Sequence, residues 1–65
     1  MAEHIIPFSA RFVIRDEKGR FFKSNDPETD LEQGHWSRTE ASLYNPDQAE
    51  IVLDDNPQAE KVRVS

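Results

Sequence analysis

Residues 10–23 contain the pattern that most restricts the fold of this chain. Two apolar runs flank Asp16-Glu17-Lys18-Gly19, a spacing typical of a β-hairpin with a short loop and a left-handed glycine. This register pairs Ile14 with Phe22. Because side chains alternate between the two faces of a strand, Phe12 joins this pair on the face that we expect to form the core. The opposite face carries Arg11, Val13, Arg15, Phe21 and Lys23.

The size and composition of the chain restrict the class of protein. A chain of 65 residues forms one domain, here 1–65, with room for one small core. It has no cysteine, so disulfides and thiolate metal sites are excluded and a reducing compartment suits it. Neither a signal-peptide pattern nor an apolar run of ~18 residues is present. We therefore expect a cytoplasmic protein that does not insert into membranes.

Weaker patterns predict the elements around this hairpin. Ile5 and Ile6 begin the first strand, and Pro7 restricts that part to a sheet edge or a bulge because it lacks an N–H. The polar segment 24–34 fits a loop, or one or two helical turns, and the sequence leaves both open. In the helical alternative Asp26 is the N-cap and Gly34 the stop.

Two short strand segments are predicted after residue 34. The first contains Trp36, the only tryptophan, which we interpret as a core anchor because large aromatic side chains supply much of a small core's buried area. The second is Ala41–Tyr44, in which apolar or small residues alternate with polar ones.

A helix is predicted to begin after Asn45. Asn45 is a favourable N-cap, Pro46 suits the first helical position, and Gln48 can close a capping box. The helix should run from Pro46 to about Leu53. Its buried stripe comprises Ala49, Val52 and Leu53, and its exposed arc comprises Asp47, Glu50, Ile51 and Asp54.

The alternating segment 60–64 is predicted to be the last strand, with Val62 and Val64 facing inward. The fold class is therefore α+β: a small antiparallel sheet, made of the N-terminal hairpin, short middle strands and a C-terminal strand, with one helix on one face. The predicted core consists of Phe8, Phe12, Ile14, Phe22, Trp36, Leu43, Ala49, Val52, Leu53, Val62 and Val64.

The chain shows no pattern of a catalytic, metal or cofactor site. Acidic residues alternate over 26–32 as in a calcium loop, but Leu31 and Ser37 occupy the positions that require glycine and a bidentate glutamate. His4 and His35 lack any recognisable ligand spacing. No serine lies in a nucleophile motif. We expect a protein that is not an enzyme and binds no cofactor.

The charge distribution is the strongest functional signal. Net charge is −5, and residues 24–60 hold ten acidic side chains against Arg38 alone, 1 − 10 = −9. This charge argues against direct nucleic-acid binding and leaves two interpretations: a solvated surface or a contact surface for a basic partner. If residues 26–32 are extended, their carboxylates repeat every ~6.6–6.8 Å, like a row of phosphates. The candidate partner-binding residues are Asp26, Glu28, Asp30, Glu32, Asp47, Glu50, Ile51, Asp54 and Asp55.

A resemblance at the level of protein class accompanies this pattern. The short, cysteine-free, acidic chain, with its hairpin FVIRDEKGRFF, Trp36, Ala41-x-Leu43-Tyr44 and Ala49, resembles the small anti-CRISPR proteins of phages and mobile elements, especially inhibitors of type I surveillance complexes. The resemblance implies a non-enzymatic inhibitor that acts in the host cytoplasm.

Two functional hypotheses follow. In the first, the acidic surface mimics nucleic acid and occupies the basic channel of a partner protein, such as a type I CRISPR surveillance complex, while the chain is a monomer or weak dimer. In the second, the chain is a structural or accessory subunit of a phage or bacterial complex. It would then bind through a sheet edge or the apolar patch around Ile5, Ile6, Val13 and Phe21.

Overall fold

The computed structural model describes residues 10–64, which form one four-stranded antiparallel sheet and one helix. The α+β prediction is confirmed. The predicted positions of Ile5, Ile6, Pro7 and Phe8 lie outside the described residues. In chain order the elements are β1 (Phe12–Arg15), β2 (Phe21–Asp26), β3 (Asp30–Ser37), α1 (Pro46–Asp55) and β4 (Glu60–Arg63). The strand order is β3-β2-β1-β4, and α1 contacts β1, β3 and β4.

The predicted β1–β2 hairpin is confirmed at its turn. Arg15 pairs with Phe21 in the predicted register. The predicted pair of Ile14 and Phe22 is not formed, because the Phe22 carbonyl oxygen accepts the Ser42 N–H instead. Gly19 has φ of 78°, a left-handed conformation that glycine adopts without steric cost. The loop residues 17–19 are closed by the bond from the Asp16 N–H to the Arg20 carbonyl oxygen, at 2.8 Å. As expected, Phe12, Ile14 and Phe22 are buried.

Beyond the turn, β1 and β2 separate and residues 42–44 lie between them. Phe12 and Tyr44 exchange two backbone hydrogen bonds of 2.9 Å, and the Ser42 N–H donates to the Phe22 carbonyl oxygen at 3.2 Å. The predicted strand over Ala41–Tyr44 is therefore a single bridge between Phe12 and Tyr44. This segment supplies the backbone partners that the two separated strands no longer give each other.

The inserted segment buries different residues from those predicted. Leu43 is 55% exposed, so its assignment to the core is wrong, whereas the Tyr44 side chain is fully buried. The Tyr44 hydroxyl lies 2.7 Å from Ser24 Oγ, which donates to the Leu31 carbonyl oxygen at 2.6 Å. Ser42 Oγ accepts the Ser24 backbone N–H. A hydroxyl network of this kind allows polar side chains to occupy a core.

Residues 24–34 form neither the loop nor the helix that the sequence left open. Strand β2 continues to Asp26, a turn follows, and β3 begins at Asp30. The Asp26 carboxylate accepts the N–H groups of Glu28 and Thr29, at 2.9 and 3.4 Å, and so closes a turn instead of capping a helix. A Cβ on Gly34 would collide with the Lys23 carbonyl oxygen, so this glycine permits close strand pairing instead of ending a helix.

Trp36 contacts the core from β3. Its ring meets the Phe22 ring edge-on, with centroids 5.2 Å apart, an arrangement that aromatic pairs favour. Trp36 is only partly buried. It therefore closes the side of the core instead of filling its centre.

The predicted helix is confirmed together with its capping box. The Asn45 side chain accepts the Gln48 N–H at 2.8 Å, and Gln48 Oε1 accepts the Asn45 N–H at 2.9 Å. Ala49 and Val52 are buried, and Leu53 packs against the core while partly exposed. The structure contains, between residues 10 and 64, no helix that is long and apolar enough to cross a bilayer.

The side chains of β4 that face the helix are not the ones that were predicted to do so. Val62 pairs with Val13 and Lys61 with Ile14, so Lys61 faces α1 and Val62 faces the side without a helix. Val64 is 52% exposed. The assignment of both valines to the core was wrong. Alternation shows which side chains share a face of the strand, but the pairing register decides which of the two faces is toward the helix. The partner here is Val13, which is itself buried on the face without a helix.

Candidate protein-binding surface

An open groove runs between α1 and the first half of β3, with a volume of about 340 Å³. Four of the residues predicted to bind a partner line it: Glu28, Asp30, Glu32 and Ile51. The remaining lining residues are Thr29, Leu31 and Gln33. We call these seven residues the acidic groove.

A bulge in β3 forms one wall of the acidic groove. Ser24 pairs with Gly34, whereas the next pair is Asp26 with Asp30. Asn25 therefore lies opposite three residues, 31–33, and β3 must bend outward to accommodate them. The bond from Ser24 Oγ to the Leu31 carbonyl oxygen ties the bulge to the buried hydroxyl network.

Gln48 fixes the helix relative to the turn of residues 27–29. Its Oε1 closes the capping box, and its Nε2 donates to the Pro27 carbonyl oxygen at 3.0 Å. Ile51, three residues further along α1, is 42% exposed and lines the acidic groove. One side chain thus holds both the start of the helix and the acidic turn beside it.

The carboxylates at the turn are held close to one another. Asp26 lies directly opposite Asp30 across the strand pair, a placement in which like charges repel. The backbone N–H bond from Glu28, with the hydrogen bonds from Thr29, lowers the pKa of Asp26 below its ordinary value. Asp30 Oδ2 accepts the Asn25 side-chain amide at 3.1 Å. Hydrogen bonds therefore hold both aspartates.

None of the ion pairs described within residues 10–64 includes a carboxylate of the acidic groove. The ion pairs described within residues 10–64 are Arg15–Glu60, Arg20–Asp16 and Lys61–Glu50. Arg38, the only cation of segment 24–60, donates instead to the Lys18 carbonyl oxygen at the other end of the sheet. The groove therefore presents negative charge around the side chains of Leu31 and Ile51.

The helix divides the remaining candidate residues between its flanks. At about 100° per residue, Ile51 and Asp55 lie on the flank toward the acidic groove. Asp47 and Asp54 point away from the sheet. Glu50 lies on the opposite flank, where its Oε1 accepts Lys61 Nζ at 2.8 Å. All four acidic side chains are exposed, but none of them lines the acidic groove.

The structure therefore gathers part of the predicted set. Glu28, Asp30, Glu32 and Ile51 share the groove, and Asp26 lies at the turn next to it. The phosphate-like row expected for an extended 26–32 segment is absent, because the chain reverses at residues 27–29.

Sequence reasoning missed Leu31 and Gln48 as parts of this surface. Leu31 is the single large apolar residue in the acidic segment 24–34. A lone apolar residue among acidic ones was the sequence feature that could have indicated its place in this surface. The contact between Gln48 and Pro27 joins residues 21 positions apart, and no local pattern indicates it.

Metal-ligating side chains do not cluster in the part of the chain that the structure describes. No group of three or more histidine, cysteine, aspartate or glutamate side chains within residues 10–64 could hold a metal ion. His35 is exposed, and His4 lies outside the described residues. Comparisons with protein-family models, curated proteins and solved structures find no match for this chain.

Proposed function

We propose that this protein is a non-enzymatic inhibitor that occupies a basic nucleic-acid-binding channel of a partner protein with the acidic groove and the turn beside it. The observation that carries the proposal is a set of three carboxylates around Leu31 and Ile51 that take part in none of the ion pairs described within residues 10–64: Glu28, Asp30 and Glu32. A type I CRISPR surveillance complex is the partner class that we propose to test first.

The chemistry of the groove suits lysine and arginine side chains. Their aliphatic stems can pack on Ile51 and Leu31 while their charged heads meet the carboxylates. Uncompensated charge of one sign also raises the rate at which an oppositely charged partner associates, and added salt weakens this effect. Glu50 and Glu60 are less suited to this role because Lys61 and Arg15 already pair with them.

The test measures target-DNA binding by a purified type I surveillance complex while the protein is titrated in, at low and at physiological salt. We expect the wild-type protein to displace DNA and the double variant E28K/E32K to fail. The control is E17K/E40K, which brings the net charge to the same value, −5 + 4 = −1. Its two positions are exposed and lie outside the groove.

Circular dichroism must first show that both variants are folded. Equal inhibition by E28K/E32K and wild type would overturn the proposed role of the groove. DNA binding that is unaffected by the wild-type protein would overturn the proposed partner class.

The helix-free face of the sheet supports a second candidate function, that of an accessory subunit. Val62 and Phe21 are half-buried on this face, and Val64 is 52% exposed. An interface here would be apolar, so partner binding would change little with salt. Partner binding would be lost in the V62D variant and retained in E28K/E32K.

A further inference from the structure

Strand β3 lies at one edge of the sheet, and its backbone is oriented to accept another strand. The Phe22 carbonyl oxygen accepts the Ser42 N–H, and the Ser24 N–H donates to Ser42 Oγ. These groups point away from β3. In an antiparallel pair, two residues that lie opposite each other direct their N–H and C=O groups either toward each other or both away from each other. Trp36 and Gly34 lie opposite Phe22 and Ser24. They therefore direct their own N–H and C=O groups to the outer edge.

We infer that this edge binds an extended, lysine- or arginine-rich segment of the partner as an additional strand, whose cationic side chains enter the acidic groove. The inference rests on the proposed function and specifies how the partner is recognised. An extended peptide added to a sheet edge gains affinity from backbone hydrogen bonds and specificity from alternate side chains.

The two edges of the sheet differ in their capacity to bind a strand. β4, at the other edge, has four residues, whereas β3 has eight. The bulge at residues 31–33 disfavours pairing there, as bulges at edges commonly do. Residues 34–37 retain regular pairing with β2. Their outer edge includes the backbone groups of Gly34 and Trp36, the residues opposite Ser24 and Phe22.

Charge decides which strand the edge accepts. A second copy carries the same net charge of −5, so pairing of β3 with β3 would bring two negatively charged chains together, which repel. A basic strand would instead meet opposite charge. Its alternate side chains, spaced at ~6.6–6.8 Å, would extend from the Gly34–Ser37 edge toward Glu32 and Ile51.

The test uses a short synthetic peptide of alternating lysine and valine, added to the ¹⁵N-labelled full chain. Amide hydrogen exchange is followed by NMR. We expect the exchange of the Gly34 and Trp36 amides to slow by about tenfold or more when the peptide is bound. The His35 amide is the internal control, because His35 pairs with Lys23 inside the sheet and should change little.

Two control peptides separate strand pairing from charge attraction. The same peptide with every backbone amide N-methylated keeps its charge but cannot donate to the edge, so we expect its affinity to fall by about tenfold or more. A peptide of alternating glutamate and valine should not bind. Equal affinity of the lysine peptide and its N-methylated form, or unchanged exchange at Gly34 and Trp36, would overturn the inference.

The results of this experiment can contradict strand addition without contradicting the proposed function, and the reverse also holds. Inhibition of DNA binding that depends on Glu28 and Glu32, without protection of Gly34 and Trp36, would leave the channel-blocking function in place and remove strand addition. Protection of these amides by the lysine peptide, without any inhibition of DNA binding, would retain edge recognition and remove the proposed partner class.

Discussion

Two turns flank β2, and an aspartate at the start of each accepts backbone N–H bonds. Asp16 Oδ1 accepts the N–H groups of Lys18 and Arg20, at 2.9 and 2.8 Å, while Oδ2 accepts Arg20 Nε at 2.7 Å. Asp26 accepts the N–H groups of Glu28 and Thr29 in the same way, but it takes part in none of the ion pairs described within residues 10–64. Asp16 is 5% exposed, whereas Asp26 is exposed.

The comparison distinguishes two carboxylates. The Asp16 carboxylate stabilises the fold, whereas the charge of Asp26 remains available to a partner. At Asp16, burial raises the pKa, but the hydrogen bonds from Arg20 and Lys18 outweigh it and the pKa is lowered. At Asp26, the hydrogen bonds of the turn alone lower the pKa. Both turns therefore need the charged form, yet only the second leaves negative charge facing solvent beside the acidic groove.

The largest effect is expected from Phe22→Ala, because Phe22 lies on β2 between the two turns and supports both hairpins. Removing this buried ring should reduce the free energy of unfolding by about 3–5 kcal/mol, enough to unfold so small a domain. Thermal unfolding followed by circular dichroism measures it. The control is Phe21→Ala, on the half-buried opposite face, which should retain a cooperative transition. A sharp transition in both would show that the core does not depend on this register.

The next largest effect should distinguish the two aspartates directly. Asp16→Asn and Asp26→Asn keep an acceptor oxygen but remove the charge, and Asp16→Asn also removes the ion pair with Arg20. We expect a greater loss of stability at neutral pH in Asp16→Asn, measured by urea unfolding. Equal losses would contradict the structural role assigned to Asp16.

The same two variants predict the pH dependence of stability. Both folded-state pKa values lie below the ordinary value, so each charged carboxylate stabilises the fold above its unfolded pKa of about 3.9. This contribution is lost as the pH falls below that value through the folded pKa. The wild-type protein should therefore lose stability below about pH 4, and the acid-induced loss should be smaller in each variant. Unchanged acid sensitivity in Asp16→Asn would contradict this assignment.

A smaller effect is expected from Asn45→Ala, which removes the helix cap and tests the link between α1 and the acidic turn. The loss should be about 0.5–2 kcal/mol, measured as a shift of the urea midpoint. Because Gln48 also contacts Pro27, the exchange of the Glu28 and Thr29 amides should become faster. Exchange at the Asp16 turn is the control and should not change.

The smallest effect on stability is expected from E28K/E32K, although its effect on partner binding should be the largest. Both side chains are exposed and lack ion pairs, so unfolding free energy should change by no more than about 0.5 kcal/mol. Chemical denaturation compared with E17K/E40K measures this. A large loss in E28K/E32K alone would mean that the groove carboxylates serve the fold.

Local patterns predicted the parts of the fold that are stabilised by neighbouring residues. The turn at Gly19 and the capping box of Asn45 and Gln48 follow from short-range geometry, and both are confirmed. The prediction for residues 24–34 was wrong because Asp26 can cap either a helix or a turn. Pairing with β2 decided between them, since Gly34 allows β3 to approach the Lys23 carbonyl group closely.

The sequence by itself determined the α+β class, the turn of the first hairpin, the helix with its buried face, and the excess of negative charge. The tertiary structure alone decided that Tyr44 is buried between β1 and β2, and that Val62 faces away from the helix. It also decided that, of the predicted binding residues, Glu28, Asp30, Glu32 and Ile51 share one groove. Hydrogen bonds and periodicity within a few residues define an element, but the face it buries depends on strand pairing between residues distant in sequence.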